Sequence, residues 1–154
     1  MLQHQRKIMD EHEQKAIDDI DKYGCHILHV MEDDENPRFT YSIGIEKNTK
    51  NPDLIITGLK NEVAQWMINE YNNRIKNGEV FETSKYYEGF LDGFDVTFIE
   101  VSKKHYKEYL GWGLWYNKGD SFKILQMVYP STLGVWPWDE GAPEDFTWFQ
   151  RLLN

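Results

Sequence analysis

The chain has 154 residues, 40% of them hydrophobic and 15% aromatic, and a formal net charge of -9. This composition is typical of one folded domain with a sizeable core and excludes a disordered chain. The negative charge weighs against binding to nucleic acid or an anionic membrane, since both are negatively charged, and it is compatible with a basic protein partner.

Metal-binding and redox chemistry have little support in the sequence. Cys25 is the only cysteine, so the chain can form no internal disulfide and no cysteine-based metal site. Cys25 lies in an apolar run, which indicates a small core residue. His26 and His29 fall on opposite faces of one predicted strand, so they cannot easily share an ion. We therefore expect no metal and no cofactor.

The compartment is predicted from two further features. No apolar stretch is long enough to span a membrane. The segment MLQHQRKIMDEHEQK at the N-terminus has no apolar centre and so does not resemble a signal peptide. Together with the single cysteine, these features predict a cytoplasmic protein.

The first predicted element is a helix at about residues 3–23, in which apolar residues recur at helical spacing until Gly24 ends it. CHILHV then reads as a short strand, and MEDDENPR as an acidic turn. A second strand is predicted over Phe39 to Ile45, where large and small residues alternate. We expect the large face in the core, and the small face to admit a helix, a strand or a ligand. The large residues are Phe39, Tyr41, Ile43 and Ile45, and the small ones are Thr40, Ser42 and Gly44.

Later elements mix helices with hairpin-linked strands. DLIIT reads as a central strand, Asn61 as the N-cap of a second helix, and Asp92-Gly93 as a hairpin turn. The apolar stripe of that helix is Val63, Met67, Tyr71 and Ile75, with Trp66 beside it. A short helix capped by Ser102, a last strand at residues 122–129 and a terminal helix from Pro143 complete the prediction. We expect an α+β fold: a single domain over residues 1–154, with a largely antiparallel sheet and helices packed on it.

Five segments occur together in an order that resembles a bacterial family, the domain of unknown function 4262. They are YSIGI, NPDLIITGL, YLGWGLWY, LQMVYP and GVWPW, and the likeness covers about residue 24 to the terminal helix. The resemblance implies a small soluble bacterial or phage domain and no established activity, cofactor or catalytic residue. Members often carry histidine where this chain has Asn51.

Gln126 is the one polar residue on an apolar strand face, which it shares with Phe122, Ile124 and Val128. A buried amide needs hydrogen-bond partners. These are either neighbouring backbone groups or a ligand in a pocket floored by Thr40, Ser42 and Gly44.

The segment Gly134–Trp138 places two tryptophans around a proline, and an extended Trp-Pro-Trp would send their rings to opposite sides. The rings either pin the loop to the fold or form a contact surface with other aromatic residues. The predicted site residues are Trp115, Tyr116, Gln126, Tyr129, Trp136, Trp138, Ser42 and Gly44.

The favoured hypothesis is a non-catalytic module that binds a protein partner through an aromatic patch with an acidic rim, as an inhibitor or immunity protein would. Asp139 and Glu140 would form part of that rim. The alternatives are an enzyme or sensor that binds a small flat ligand such as a nucleotide, and an oligomerising structural protein. A phosphorylated ligand would need positive charge nearby, which Lys118 and Lys123 beside the aromatic segment would supply.

Overall fold

The computed structural model describes residues 10–154, in which a six-stranded sheet has helices on both faces. Residues 3–9 of the first predicted helix lie outside the described residues. The helices are α1 (Glu11–Tyr23), α2 (Ile45–Thr49), α3 (Asn61–Lys76), α4 (Tyr106–Tyr109), α5 (Gly111–Asn117) and α6 (Glu144–Phe149), with a 3₁₀ turn at Lys103–His105. The strands are β1 (His26–Val30), β2 (Phe39–Ile43), β3 (Asp53–Thr57), β4 (Tyr86–Leu91), β5 (Phe94–Glu100) and β6 (Ile124–Val128).

The strand order is β1-β2-β3-β6-β5-β4, and every neighbouring pair is antiparallel except β3 with β6. After β3 the chain crosses over through α3, makes the β4–β5 hairpin and returns as β6 in the centre of the sheet. The prediction of an α+β fold with a largely antiparallel sheet is confirmed. The edges of the sheet are β1 and β4.

Local signals account for several element boundaries. The Asp10 side chain accepts a hydrogen bond from the Glu13 N–H at 2.8 Å, and the Glu13 side chain accepts one from the Asp10 N–H, which makes a capping box for α1. Gly24 ends α1 in the left-handed conformation. The predicted N-cap of α3 is wrong by one residue: Asn61 is the first helical residue and Lys60 takes the cap position without a side-chain bond.

The predicted β2 strand is two residues too long, although its large side chains are all buried. Phe39, Tyr41 and Ile43 pack on one face of the sheet, whereas Ile45 begins α2 and belongs to the core on the other face. Gly44 makes the break, at φ 100°, and a Cβ there would lie 2.9 Å from the Ile20 side chain. Glycine is therefore required both for the turn and for the close approach of α1.

The core has two layers, one on each face of the sheet. Buried residues of α3 pack on one face: Ala64, Met67, Ile68, Tyr71 and Ile75, against Leu54, Ile56, Val96, Phe98, Leu125 and Met127. The other layer joins α1, α4 and the C-terminal segment: Ala16, Ile20, Tyr106, Tyr109 and Leu153, against Phe39, Tyr41, Ile43, Ile55 and Ile124. Val63 belongs to the predicted apolar stripe of α3 but is 38% exposed.

Tyr41 provides a test of the second layer. Its ring is 1% exposed, and its hydroxyl accepts a hydrogen bond from the Trp112 N–H at 3.0 Å. We expect Tyr41→Ala to lower the free energy of unfolding by about 3–5 kcal/mol, through the lost ring and the cavity. Tyr41→Phe, which keeps the ring and leaves only the N–H unpaired, should cost about 1–2 kcal/mol. Urea denaturation measures both; equal losses would contradict the assignment of the ring to the core.

Candidate functional site

A buried carboxylate joins β2, α2 and β3. Asp53 accepts hydrogen bonds from the Ser42 hydroxyl (2.8 Å) and from the N–H groups of Ile45 (3.0 Å) and Glu46 (3.2 Å) at the start of α2. The Ser42 oxygen in turn accepts the Leu54 N–H at 3.1 Å. Ser42, a predicted site residue, therefore has a structural role in this network, and it is 1% exposed.

The same burial raises the pKa of Asp53 to about 7, an effect that the three hydrogen bonds oppose. Burial also raises the pKa of the Cys25 thiol to about 12, so the thiol stays protonated at neutral pH. Both groups are almost fully buried, and neither lines any of the grooves described below. Their perturbed pKa values have a structural cause.

Gln126 is fully buried, and its partners belong to the chain itself. Its amide N–H₂ donates to the Arg151 carbonyl at 2.8 Å and to the Thr57 hydroxyl at 3.3 Å, while its amide oxygen accepts the Leu153 N–H at 2.8 Å. Gln150 binds both backbone groups of Tyr129 in the same way, at 2.9 and 2.7 Å. The two glutamines thus hold the C-terminal segment, residues 150–153, across the sheet.

The pocket expected beside Gln126 does not exist in that form. The Thr40 hydroxyl bonds His29, which also bonds Gln65 of α3, so Thr40 faces the α3 side of the sheet. Gln126 faces the opposite side, where the C-terminal segment lies. The hypothesis that Thr40, Ser42 and Gly44 floor a pocket before Gln126 is wrong, because strand alternation and the break at Gly44 separate them.

The other predicted site residues lie in three separate places. Tyr129 is buried, donates its hydroxyl to the Thr57 carbonyl at 2.6 Å and packs edge-on against Phe146. Trp115 and Tyr116 are half-buried on α5, where the Trp115 ring meets Trp112 at 5.4 Å. The α5 residues therefore lie near β1 and β2, at one edge of the sheet, whereas Trp136 and Trp138 lie at the other edge, beside β4.

Trp136 and Trp138 do not point to opposite sides as predicted. Their rings are parallel, with an interplanar angle of 4° and centroids 5.3 Å apart, because the segment is a turn and not an extended chain. Trp136 meets Tyr86 of the edge strand β4 edge-on at 5.4 Å. Pro137 is buried, whereas Trp138 is 46% exposed. We call Tyr86, Trp136 and Trp138 the tryptophan surface.

A groove of about 860 Å³ adjoins the tryptophan surface. Its floor is β5, its far wall includes the turn before β4, and Trp138 forms one side. Ser102 contributes a hydroxyl group and Ile99 an apolar surface, whereas the hydroxyl of the buried Thr97 donates to the Lys85 carbonyl. Lys118 and Lys123, expected beside an aromatic site, line two other grooves that do not include Trp138.

A second surface was missed at the sequence level. Val63 and Trp66 of α3, exposed by 38% and 55%, face the β4–β5 hairpin across a groove of about 1050 Å³. Leu91 and Phe94 line the hairpin side. We call this the acidic groove, because four acidic residues line it: Glu62, Glu88, Asp92 and Asp95. The only indication of this surface in the sequence was Trp66, a large aromatic residue beside the apolar stripe of α3.

His26 and His29 point to opposite faces, as predicted. The His26 Nδ1 lies 2.7 Å from an Asp19 carboxylate oxygen on α1, whereas His29 lies between Thr40 and α3. Within residues 10–154, no three histidine, cysteine or carboxylate side chains come together as a metal site would require. In that same part of the chain, no helix has the length and apolar character needed to cross a membrane.

Comparison with known proteins places the chain by its sequence pattern. The model of the family described as Domain of unknown function (DUF4262) matches residues 19–143. The chain belongs to this family. The DUF4262 match includes the Asp53 network, Gln126 and the tryptophan surface, and it ends before α6 and the C-terminal segment. Searches of curated proteins and of solved structures gave no significant match.

Asp53 predicts a pH dependence of stability. Its pKa is about 7 in the folded protein against 3.8 for a free side chain, so folding favours the protonated form. Its contribution to stability is therefore complete below pH 3.8 and is lost as the pH rises through about 7. We expect the difference in unfolding free energy between the wild type and Asp53→Asn to fall across this range. Urea denaturation at several pH values checks this; a difference that rises with pH would contradict it.

Gln126 predicts how firmly the C-terminal segment is held. Gln126→Leu keeps the volume but leaves the Leu153 N–H and the Arg151 carbonyl without that partner, which should cost about 2–4 kcal/mol. Hydrogen exchange should be faster at the Leu153 amide than in the wild type. The control is Gln65→Leu, an exposed position on α3. Unchanged exchange at Leu153 would show that other contacts hold the segment.

Proposed function

We propose that this protein is a non-catalytic binding module of the bacterial or phage cytoplasm, which recognises a basic protein partner through the tryptophan surface. An inhibitor or immunity protein would work in this way. The observation that carries the proposal is Trp138, a large ring that is 46% exposed yet held against Trp136 on a well-defined turn. Exposed tryptophans held in this way are favoured anchors of protein interfaces.

The turn is rigid before any partner binds. The Trp136 N–H donates to the Asp139 carboxylate at 2.8 Å, and the Asp139 N–H donates back to the Trp136 carbonyl at 3.0 Å. Pro137, which lies between the two tryptophans in the sequence and is buried, restricts the backbone further. Little conformational entropy remains to be lost on binding, so more of the contact energy contributes to affinity.

Charge supports a basic partner. The chain carries a net charge of -9, and the exposed Glu140 lies directly beyond the turn. A negative surface accelerates the encounter with a positive one and selects against acidic proteins. Asp139 carries charge too, although its hydrogen bond to Trp136 makes it part of the turn.

A non-catalytic role is supported by the position of the groups that could do chemistry. The Asp53 carboxylate and the Cys25 thiol have the perturbed pKa values that active sites often show. Each is closed off from solvent and enclosed by core residues. A substrate could reach neither group without unfolding part of the sheet.

A small flat ligand is the second candidate. Trp136 covers one face of Trp138, and in the described part of the chain no further aromatic ring stacks on Trp138. Trp138 also lines the groove on β5, where the Ser102 hydroxyl could bond a polar ring edge. A nucleobase stacked on Trp138 would use this arrangement.

The proposal predicts a separation of binding from stability at Trp138. Trp138→Ala should weaken partner binding at least tenfold, since a tryptophan anchor contributes about 2 kcal/mol or more. The free energy of unfolding should fall by only about 1 kcal/mol, from the lost ring stacking. Leu133→Ala, an 88% exposed position in the same loop, is the control and should change neither.

The measurement starts with capture on immobilised wild type from a lysate of the source cells and identification of the captured proteins. Affinities for the purified partner are then compared across the three proteins, with urea curves for each. Glu140→Lys should also weaken binding and reduce its salt dependence. Equal capture by the wild type and Trp138→Ala would overturn the proposal. Binding of free nucleosides that is lost in Trp138→Ala would favour the second candidate.

A further inference from the structure

The acidic groove combines exposed apolar side chains with carboxylates alone. Val63 and Trp66 lie on α3 outside its set of buried residues and are exposed. Leu91 and Phe94 of the hairpin face them, and Phe90 closes the base at 2% exposure. Trp66 is 55% exposed, and the contact of its apolar ring with water is unfavourable in free energy.

The rim is negative and has no cation of its own. Glu62, Glu88, Asp92 and Asp95 line the groove, and no lysine, arginine or histidine of the described chain does so. Within residues 10–154, none of these four carboxylates forms a salt bridge. The nearby Arg74 does not line the groove: it pairs with Glu79 at 2.9 Å, donates to the backbone carbonyl of Glu88 and lies over the Phe90 ring, 4.4 Å from its centroid.

These charges select the occupant. Four like charges around one groove repel each other, and cationic side chains placed between them would relieve that repulsion. A second copy of this chain, with a net charge of -9, would bring more negative charge to the same place. The complementary ligand is therefore a segment with apolar side chains in its centre and lysine or arginine at its borders.

The edge strand indicates the conformation of that segment. A partner in extended form would pair with the free edge of β4, but the β4–β5 register is irregular between Tyr87 and Leu91, and Gly89 has a φ of 91°. Such a bulge disfavours the addition of a strand. A helix that lays its apolar side into the groove needs no pairing with the β4 backbone.

We propose that the acidic groove binds a cationic amphipathic helix of a partner protein. Trp66 and Phe94 contact its apolar side chains, and the four carboxylates pair with its lysines or arginines. The groove lies on the α3 side of the sheet, whereas the tryptophan surface lies on the other side with the C-terminal segment. The proposal is therefore independent of whether Trp138 binds a partner.

The test uses a labelled synthetic peptide of leucine and lysine, with leucine at helical spacing along one side. Fluorescence anisotropy measures its binding to the full chain. The control peptide has glutamate in place of every lysine. We expect saturable binding of the lysine peptide that weakens with added salt, and no binding of the glutamate peptide.

Two variants locate the binding. Trp66→Ala should weaken it at least tenfold, as expected when an anchor ring is removed. The double variant Asp92→Asn/Asp95→Asn should weaken it several-fold and flatten its salt dependence; Asn-Gly remains a favourable hairpin turn. The matched control is Asp34→Asn/Glu35→Gln, which removes two exposed charges from the acidic turn after β1. Leu133→Ala, an 88% exposed position in the loop that carries Trp138, is the control for the other face.

The outcomes separate the possibilities. Binding that depends on Trp66 and on the hairpin charges, but not on the two controls, supports the proposal. Equal losses in both double variants would mean attraction to the overall charge and would overturn it. Absence of saturable binding to the lysine peptide would also overturn it. Self-association of the wild type that disappears in Trp66→Ala would assign the groove to a second copy instead.

Discussion

The arrangement of the sheet depends on one buried carboxylate. Asp53 stands where β2 turns into α2 and where β3 begins, and it satisfies N–H groups that the first turn of α2 leaves free. Through Ser42 it also fixes β2 beside β3. The chain can therefore turn from β2 into α2 at Gly44 without leaving a buried N–H group unpaired. The energetic cost is a carboxyl group whose charge the core disfavours, and so a fold coupled to pH.

A second constraint determines which parts of the sheet remain open. Gln126 and Gln150 hold the C-terminal segment across β6, so the centre of that face is closed. Gly58 permits the close approach, since a Cβ there would lie 2.6 Å from the Phe149 carbonyl oxygen. On the other face, α3 packs against β5 through Tyr71 and Phe98 but leaves a groove between its first turns and the tip of the β4–β5 hairpin. Both candidate surfaces consequently border β4 and β5, on opposite faces.

The two surfaces share a chemistry but differ in form. The tryptophan surface presents one ring on a rigid turn, which suits a pocket in a partner or a flat ligand. The acidic groove is concave and suits a projecting segment. In both, aromatic side chains border carboxylates, which is consistent with a chain that carries a net charge of -9. Apolar contact would supply the affinity at such surfaces, while charge would supply selectivity and a fast encounter.

Short-range features of this protein could be read from its sequence because their causes are local. Gly24 ends α1, Asp92-Gly93 turns the hairpin, and the alternation in β2 places its large side chains on one face of the sheet, each through backbone geometry within a few residues. Membership of the family and the α+β class followed from the same patterns. Only the tertiary structure decided the partners of Gln126, which lie 69 residues earlier and 25 and 27 residues later in the chain.

The candidate surfaces divide in the same way. The sequence identified Trp136 and Trp138 as unusual residues, but their parallel stacking depends on how the turn packs against Tyr86 of a distant strand. It also placed Val63 in the apolar stripe of α3, because helical periodicity shows which side of a helix is apolar but not how much of that side other elements cover. Val63 and Trp66 instead line the groove beside the tip of the β4–β5 hairpin. Exposure of Trp66 is thus a property of the assembled fold, because burial depends on what lies opposite a side chain.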